Sequence, residues 1–162
     1  MFQYEVAHLI SDIEVFDQFT NEDFDLLSEY FQRVPFKASE VIIKEGDDAS
    51  AFYIVMRGEL KVFLPQEIDG SIEKRASDVK LNILKKGDCF GEYSLISQNP
   101  ASASIVAIGE GELIKISEAD FNHILASNDR IAKIFYQNVL RILIRRLRMR
   151  EKEYDLILVA PE

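Results

Sequence analysis

The apolar residues in the middle of this chain come in short runs rich in Ile, Val and Phe. The runs are Val41 to Ile43, Phe52 to Met56, Glu59 to Leu64, Leu81 to Leu84, Ser102 to Ala107 and Glu112 to Ile116. Runs of this length and content, punctuated at turn positions, predict the strands of an antiparallel roll. All seven glycines lie between Gly46 and Gly111, and glycine weakens helix interiors. The glycine-free flanks therefore read as helical, giving the order helix, β-region, helix. Asp69-Gly70 marks a hairpin turn. The polar stretch Pro65 to Lys80 is longer than that hairpin needs, so part of it is expected to form an excursion carrying Lys74, Arg75 and Lys80.

The flanks carry start signals of their own. Thr20 with Asp23, and Ser117 with Asp120, have the pattern of an N-cap followed three residues later by an acid. The first pair precedes Phe24, Leu27 and Phe31, one apolar face at helical spacing. The last helix carries two stripes. Phe135, Val139, Ile142 and Met149 form one, interrupted by Arg146; Leu140, Leu143, Leu147 and Tyr154 form the other, with Arg150 in its gap. One stripe suffices to dock a helix on its own domain, and a second, heptad-like stripe points to a partner helix. A homodimer through residues 131 to 154 is the expectation; the alternative is one wide face buried within the monomer.

Composition narrows the picture. At 162 residues the chain is long enough for one domain with a proper core, so 1–162 is read as a single unit. The longest apolar run, Phe52 to Met56, is too short to span a bilayer, and the N-terminus shows no secretory pattern. No membrane association is expected. The single cysteine, Cys89, suits a reducing cytoplasm and reads as a buried structural thiol rather than a redox group. A net charge of -9 argues against broad nucleic-acid affinity. The cations Arg130, Lys133, Arg141, Arg145, Arg146, Arg148, Arg150 and Lys152 nevertheless share the last helix, expected to be a solvated basic face pairing with the acidic body.

Candidate chemistry gathers in one segment, Phe90 to Ala107. Gly91 permits positive φ and a close backbone approach by a ligand. Glu92 beside it is a carboxylate suited to a sugar diol; read alone, it is better taken as a solvated loop acid. Ser94-Leu95-Ile96 predicts one helical turn, which Asn99-Pro100 ends. Beyond it, Ser102, Ser104 and Val106 alternate with Ala103, Ile105 and Ala107, as in a strand with one polar-tending face.

The segment resembles the phosphate-binding cassette of the cyclic nucleotide-binding domain family, in the manner of the catabolite-activator-like effector domain. Phe90, Gly91, Glu92, Ser94, Leu95, Ser102, Ala103, Ile105 and Ala107 fall where that pattern places them. Ile42 to Ala49, with Phe52 to Val55 and Gly58, is similar to the family's other signature. The resemblance implies a mainly β fold with α flanks: an antiparallel β-roll or jelly roll behind an N-terminal helical lead (Leu9 to Phe36) and before a long C-terminal helix. It divides the chain into N-terminal helices at 1–37, the roll at 38–117 with the cassette at 90–107, and C-terminal helices at 118–156.

The resemblance also implies a site. Gly91, Glu92, Tyr93, Ala101, Ser102 and Ala103 would line it, Glu92 taking the ribose 2′-hydroxyl and Arg150 closing over the base. The family places an arginine immediately before the Ser-Ala pair to grip the cyclic phosphate; this chain has Ala101. Loss of that residue weakens cyclic nucleotide binding by on the order of 3–5 kcal/mol, the cost of leaving such a charge alone. Lys74, Arg75, Lys80 and Arg150 are the candidate replacements.

Three classes of function compete. A metal-dependent enzyme on a similar roll needs clustered His and carboxylate ligands, and the chain has only His8 and His123, both in helical flanks. No nucleophile–base pair and no GxxxxGK loop occurs, so catalysis is not expected, and neither a cofactor nor a metal. The expectation is a regulatory sensor domain with weak or altered ligand binding: cyclic AMP, cyclic GMP or another small anionic molecule. The alternative is a ligand-independent dimerisation or protein-interaction module. A downstream protein partner is expected, of unreadable identity. In the family's transcription factors a helix-turn-helix follows the long helix; here Tyr154 to Glu162 remain, so no DNA-binding domain and no specific DNA are expected.

Overall fold

The computed structural model describes residues 6, 10–48, 50–67, 75–97 and 99–158, with Ser94 and 153–158 described by backbone alone. Among the described residues, eight strands form two four-stranded antiparallel sheets. One has the order β1-β8-β3-β6, from β1 (Gln32–Phe36), β3 (Ala51–Arg57), β6 (Cys89–Phe90) and β8 (Gly111–Ser117). The other has the order β2-β7-β4-β5, from β2 (Val41–Ile43), β4 (Leu60–Leu64), β5 (Val79–Leu84) and β7 (Ser104–Ala107). Helix α1 (Asn21–Ser28) precedes the roll, α2 (Glu92–Ser97) lies within it, and α3 (Glu118–Ser127) and α4 (Asp129–Leu158) follow. Among the described residues no helix is long and apolar enough to cross a membrane.

The roll is filled from both sheets by Phe36, Val55, Leu60, Leu84, Phe90, Ile105, Ala107 and Leu113. A second and larger core lies behind the first sheet, where Phe52, Ile54, Ile114 and Ile116 meet Phe24 and Leu27 of α1, Phe121 and Ile124 of α3, and Phe135, Val139 and Ile142 of α4. Strands β3 and β8 both contribute to the two cores, and β3 accordingly runs apolar from Ala51 to Met56 instead of alternating, whereas β8 sets Glu112 and Lys115 at its half-buried positions. Phe52 is the hinge of this packing, with ring centroids 6.1 Å from Phe16, 5.8 Å from Phe121 and 6.3 Å from Phe135.

Both capping signals form. The Thr20 hydroxyl accepts from the Asp23 N–H while the Asp23 carboxylate accepts from the Thr20 N–H at 2.7 Å, and Ser117 accepts from the Asp120 N–H at 3.1 Å. The lead from Leu9 to Phe36 is not helical throughout, however. It contains a 3-10 turn at Glu14–Phe16, then α1, then strand β1. Pro35 explains the correction: it removes a helical donor but fits an edge strand, and β1 is an edge. The β-region therefore begins at Gln32, before the expected boundary at 38. Lys80 belongs to β5, opposite Phe63, and not to the excursion. Asp69-Gly70 and Lys74 lie outside the described residues, as does His8; His123 is exposed on α3.

Helix α4 resolves the two stripes. Phe135, Val139 and Ile142 are buried in the monomer, whereas Leu140 is 57% and Leu147 59% exposed. Leu143 is half-buried, Met149 is exposed, and the side chain of Tyr154 lies outside those described. One wide buried face is therefore not what forms. Much of the basic character of α4 is matched within the chain: Arg130 pairs with Asp23, and Arg145 with Glu14 at 2.7 Å. Buried Asn138 donates to the carbonyls of Val15 (3.2 Å) and Asp17 (2.7 Å), fixing α4 to the N-terminal lead.

Candidate ligand-binding site

The two sequence signatures meet in space. The N–H of Gly46 donates to the carbonyl of Ala101 at 2.8 Å, and the N–H of Ala101 donates back to the carbonyl of Asp47 at 2.9 Å. The Glu45 N–H is accepted by the Ser104 hydroxyl at 2.9 Å. These bonds explain why β7 starts at Ser104 and not at Ser102: the backbone of Ala101 serves the β2–β3 loop, and Ser102 and Ala103 bend between the two. Ala101 and Ala103 are half-buried, and Ser102 is exposed.

Gly91 has a reason to be glycine that differs from the expected one. Its φ is +89°, and a Cβ there would lie 2.2 Å from the carbonyl oxygen of Ala51. The close approach is to the protein's own strand β3, not to a ligand. Pairing of Phe90 with Tyr53, whose rings stack at 4.8 Å, holds the chain there, and the turn at Gly91 then delivers Glu92 to the first position of α2.

Glu92 is not a solvated loop acid. It is 5% exposed, and its Oε1 accepts from Nη1 of Arg146 at 2.6 Å. Arg146 lies one turn beyond Ile142 on the buried line of α4, so the residue that interrupts the stripe is the one that reaches the cassette. Burial works against its charge, but the bonds to Glu92 and the Tyr93 hydroxyl outweigh this and hold its pKa above the usual arginine value. Tyr93 itself is exposed. Under the pair is a cavity of about 10 Å³ lined by Val15, Cys89, Glu92, Val139, Ile142 and Leu143, room for about one water. Cys89 packs against the helix-side core, and burial pushes its thiol up to about 12, with the Glu92 charge adding and Arg146 opposing. Such a thiol is inert at neutral pH.

Arg150, the expected cap, is exposed a full turn past Arg146, so Arg146 is the α4 cation that touches the cassette. Sequence reasoning missed that role, although a cation inside an apolar stripe was the available signal. Arg75 does fold inward. Its two Nη groups hold both Glu45 oxygens at 2.9 and 2.8 Å, and Nη1 also donates to the Pro65 carbonyl at 2.8 Å.

The fold agrees with comparisons to known proteins. A family model described as cyclic nucleotide-binding domain matches residues 33–128. The cyclic AMP receptor protein of Thermus thermophilus is 33% identical over 136 residues, covering 84% of this chain and 58% of the receptor. The crystal structure of the Thermus thermophilus catabolite activator protein matches with a TM-score of 0.72 at 29% identity, covering 89% of this chain and 62% of that one. A cyclic nucleotide-binding domain from Methylobacillus flagellatus shares the fold with a TM-score of 0.76 at 24% identity, covering 99% of this chain and 86% of that one. The chain belongs to the cyclic nucleotide-binding domain family. It spans little more than half the length of the receptor it matches.

Proposed function

We propose that this chain is a non-catalytic sensor domain whose cassette takes a nucleotide-like ligand and whose long helix α4 reads the occupancy. The observation that carries this is the bond between Glu92 of the cassette and Arg146 of α4. A ligand hydroxyl that donates to Glu92 has to share or replace Arg146, so filling the site changes what holds the C-terminal half of α4. Leaving the buried Glu92 carboxylate without a partner is costly, and a ligand able to supply the replacement moves the equilibrium. Coupling of this kind is typically about 1–3 kcal/mol.

The name of the Thermus relative points to cyclic AMP as the ligand class, with cyclic GMP beside it. Ala101 stands where the resemblance puts the phosphate-gripping arginine, so binding of either is weak or the ligand is altered. The exposed line Tyr136, Leu140, Ile144 and Leu147 on α4 supports a homodimer through that helix. One half-buried thiol and no disulfide among the described residues suit a cytoplasmic setting. A downstream protein that senses α4 completes the reading.

Calorimetric titration of the full chain with cyclic AMP and cyclic GMP tests it, alongside the Ala101→Arg variant. Binding in the high micromolar range or weaker is expected for the unmodified chain, strengthened at least tenfold, about 1.4 kcal/mol, by the arginine. Absence of binding in both proteins favours the ligand-independent interaction module, for which the same apolar line on α4 is the supporting observation.

A further inference from the structure

The charges around the cassette are already matched inside the protein, and this restricts what can enter. Two arginines reach the cassette and its bracketing loop, and each is held by a largely buried carboxylate: Arg146 by Glu92 and Arg75 by Glu45. Arg75 is held at both Nη groups and by the Pro65 carbonyl as well. At Ala101 the protein offers a methyl group, and the backbone N–H there already serves Asp47. The loop that brackets Ala101 adds the exposed acids Asp47 and Asp48 against one lysine, Lys44, in a protein of net charge -9.

An anion entering beside Ala101 meets this acidic loop. Among the described arginines, those placed to neutralise it are Arg75 and Arg146, and drawing either from Glu45 or Glu92 leaves a carboxylate with little solvent access unpaired. A neutral molecule bearing two adjacent hydroxyls needs neither exchange. A carboxylate–guanidinium pair presents acceptors and donors side by side, and a vicinal diol is donor and acceptor at once. We infer that this site takes a neutral vicinal diol of the ribonucleoside class in preference to a cyclic phosphate. The inference rests on the reading of the cassette as a ligand pocket and goes beyond it by naming the ligand's charge.

The test is calorimetry on the full chain with adenosine, 2′-deoxyadenosine, guanosine, cyclic AMP and cyclic GMP. A ribonucleoside should bind at least tenfold tighter than the cyclic phosphate of the same base, and 2′-deoxyadenosine should bind more weakly than adenosine. In Ala101→Arg, checked for an unchanged melting temperature, the preference should reverse toward the cyclic phosphate. Equal or tighter binding of the cyclic phosphate by the unmodified chain overturns the inference, as does equal binding of adenosine and its 2′-deoxy form. If the unmodified chain binds none of the five, the inference fails too. The variant then decides the broader reading: binding of cyclic AMP by Ala101→Arg keeps the pocket as a ligand site, and no binding removes both proposals.

Discussion

Arg146 and Glu92 are separated by 54 positions in the chain, yet the guanidinium of one caps the buried carboxylate of the other at 2.6 Å. The pair joins the cassette to the long helix at a point where the apolar line of α4 runs out. Everything N-terminal to it on that line, Phe135, Val139 and Ile142, is held by packing; Arg146 is held by charge.

Removing the arginine therefore tests whether the contact is structural. Arg146→Ala leaves Glu92 charged and enclosed, and the expected loss is on the order of 1–3 kcal/mol. That is below the cost for a wholly buried pair, because the arginine is partly solvated. Glu92→Gln should relieve most of that loss in the double variant. Urea melts of the two singles and the double check it; changes that add within about 0.5 kcal/mol would show the two side chains to be uncoupled.

Gly91 makes a contrasting prediction. Since its missing Cβ leaves space for the Ala51 carbonyl, and its φ is positive, Gly91→Ala should destabilise the protein without any ligand present. Backbone strain alone contributes about 1–3 kcal/mol, and the contact with Ala51 adds to it. A thermal melt matching the parent protein would return the glycine to a ligand-facing role.

These residues show what the sequence made legible. The strands were readable because short β-branched runs sit between turn residues, and the caps because Thr20 and Ser117 each precede an acid by three positions. Strand β1 was hidden inside a helical expectation, since the apolar period of Phe24, Leu27 and Phe31 runs straight up to it and Pro35 was the only break. β6 is two residues long and has no period to detect. At the site, Gly91, Glu92 and Ala101 could be placed from local pattern. The partners of Glu92 and Ala101 come from distant positions in the chain, and no local pattern specifies which cation of a basic helix turns inward. Arg146 rather than Arg150 does so because the buried line through Ile142 fixes the rotation of α4.

That rotation also sets which face is open to a second copy. Ile142 belongs to the monomer's own core, so a charge there unfolds rather than dissociates. Leu140 and Leu147 lie a heptad apart on the exposed face. Leu140→Glu with Leu147→Glu should yield a folded monomer from a dimeric parent, read by light scattering and circular dichroism. A parent protein of monomer mass at micromolar concentration would refute the dimer.

The anchoring of α4 at its other end carries a pH dependence. Burial disfavours the Asp23 charge, but the Thr20 N–H and hydroxyl and the Arg130 guanidinium together hold its carboxyl below the ordinary value of 3.8. A carboxyl depressed on folding stabilises the native state above its unfolded pKa, and that contribution disappears as pH falls through the folded value. Asp23→Asn removes the charge that pairs with Arg130 and leaves the cap a single, weaker acceptor, so it should cost about 1–2 kcal/mol at pH 7. The cost should hold down to about pH 5, where the unfolded carboxyl starts to take up its proton, and shrink below that. Denaturant unfolding of both proteins from pH 7 to pH 2.5 measures the difference directly. A gap between them that stays constant across that range would mean that Asp23 acts through packing alone, and that its charge does not fasten α4 to the helix it caps.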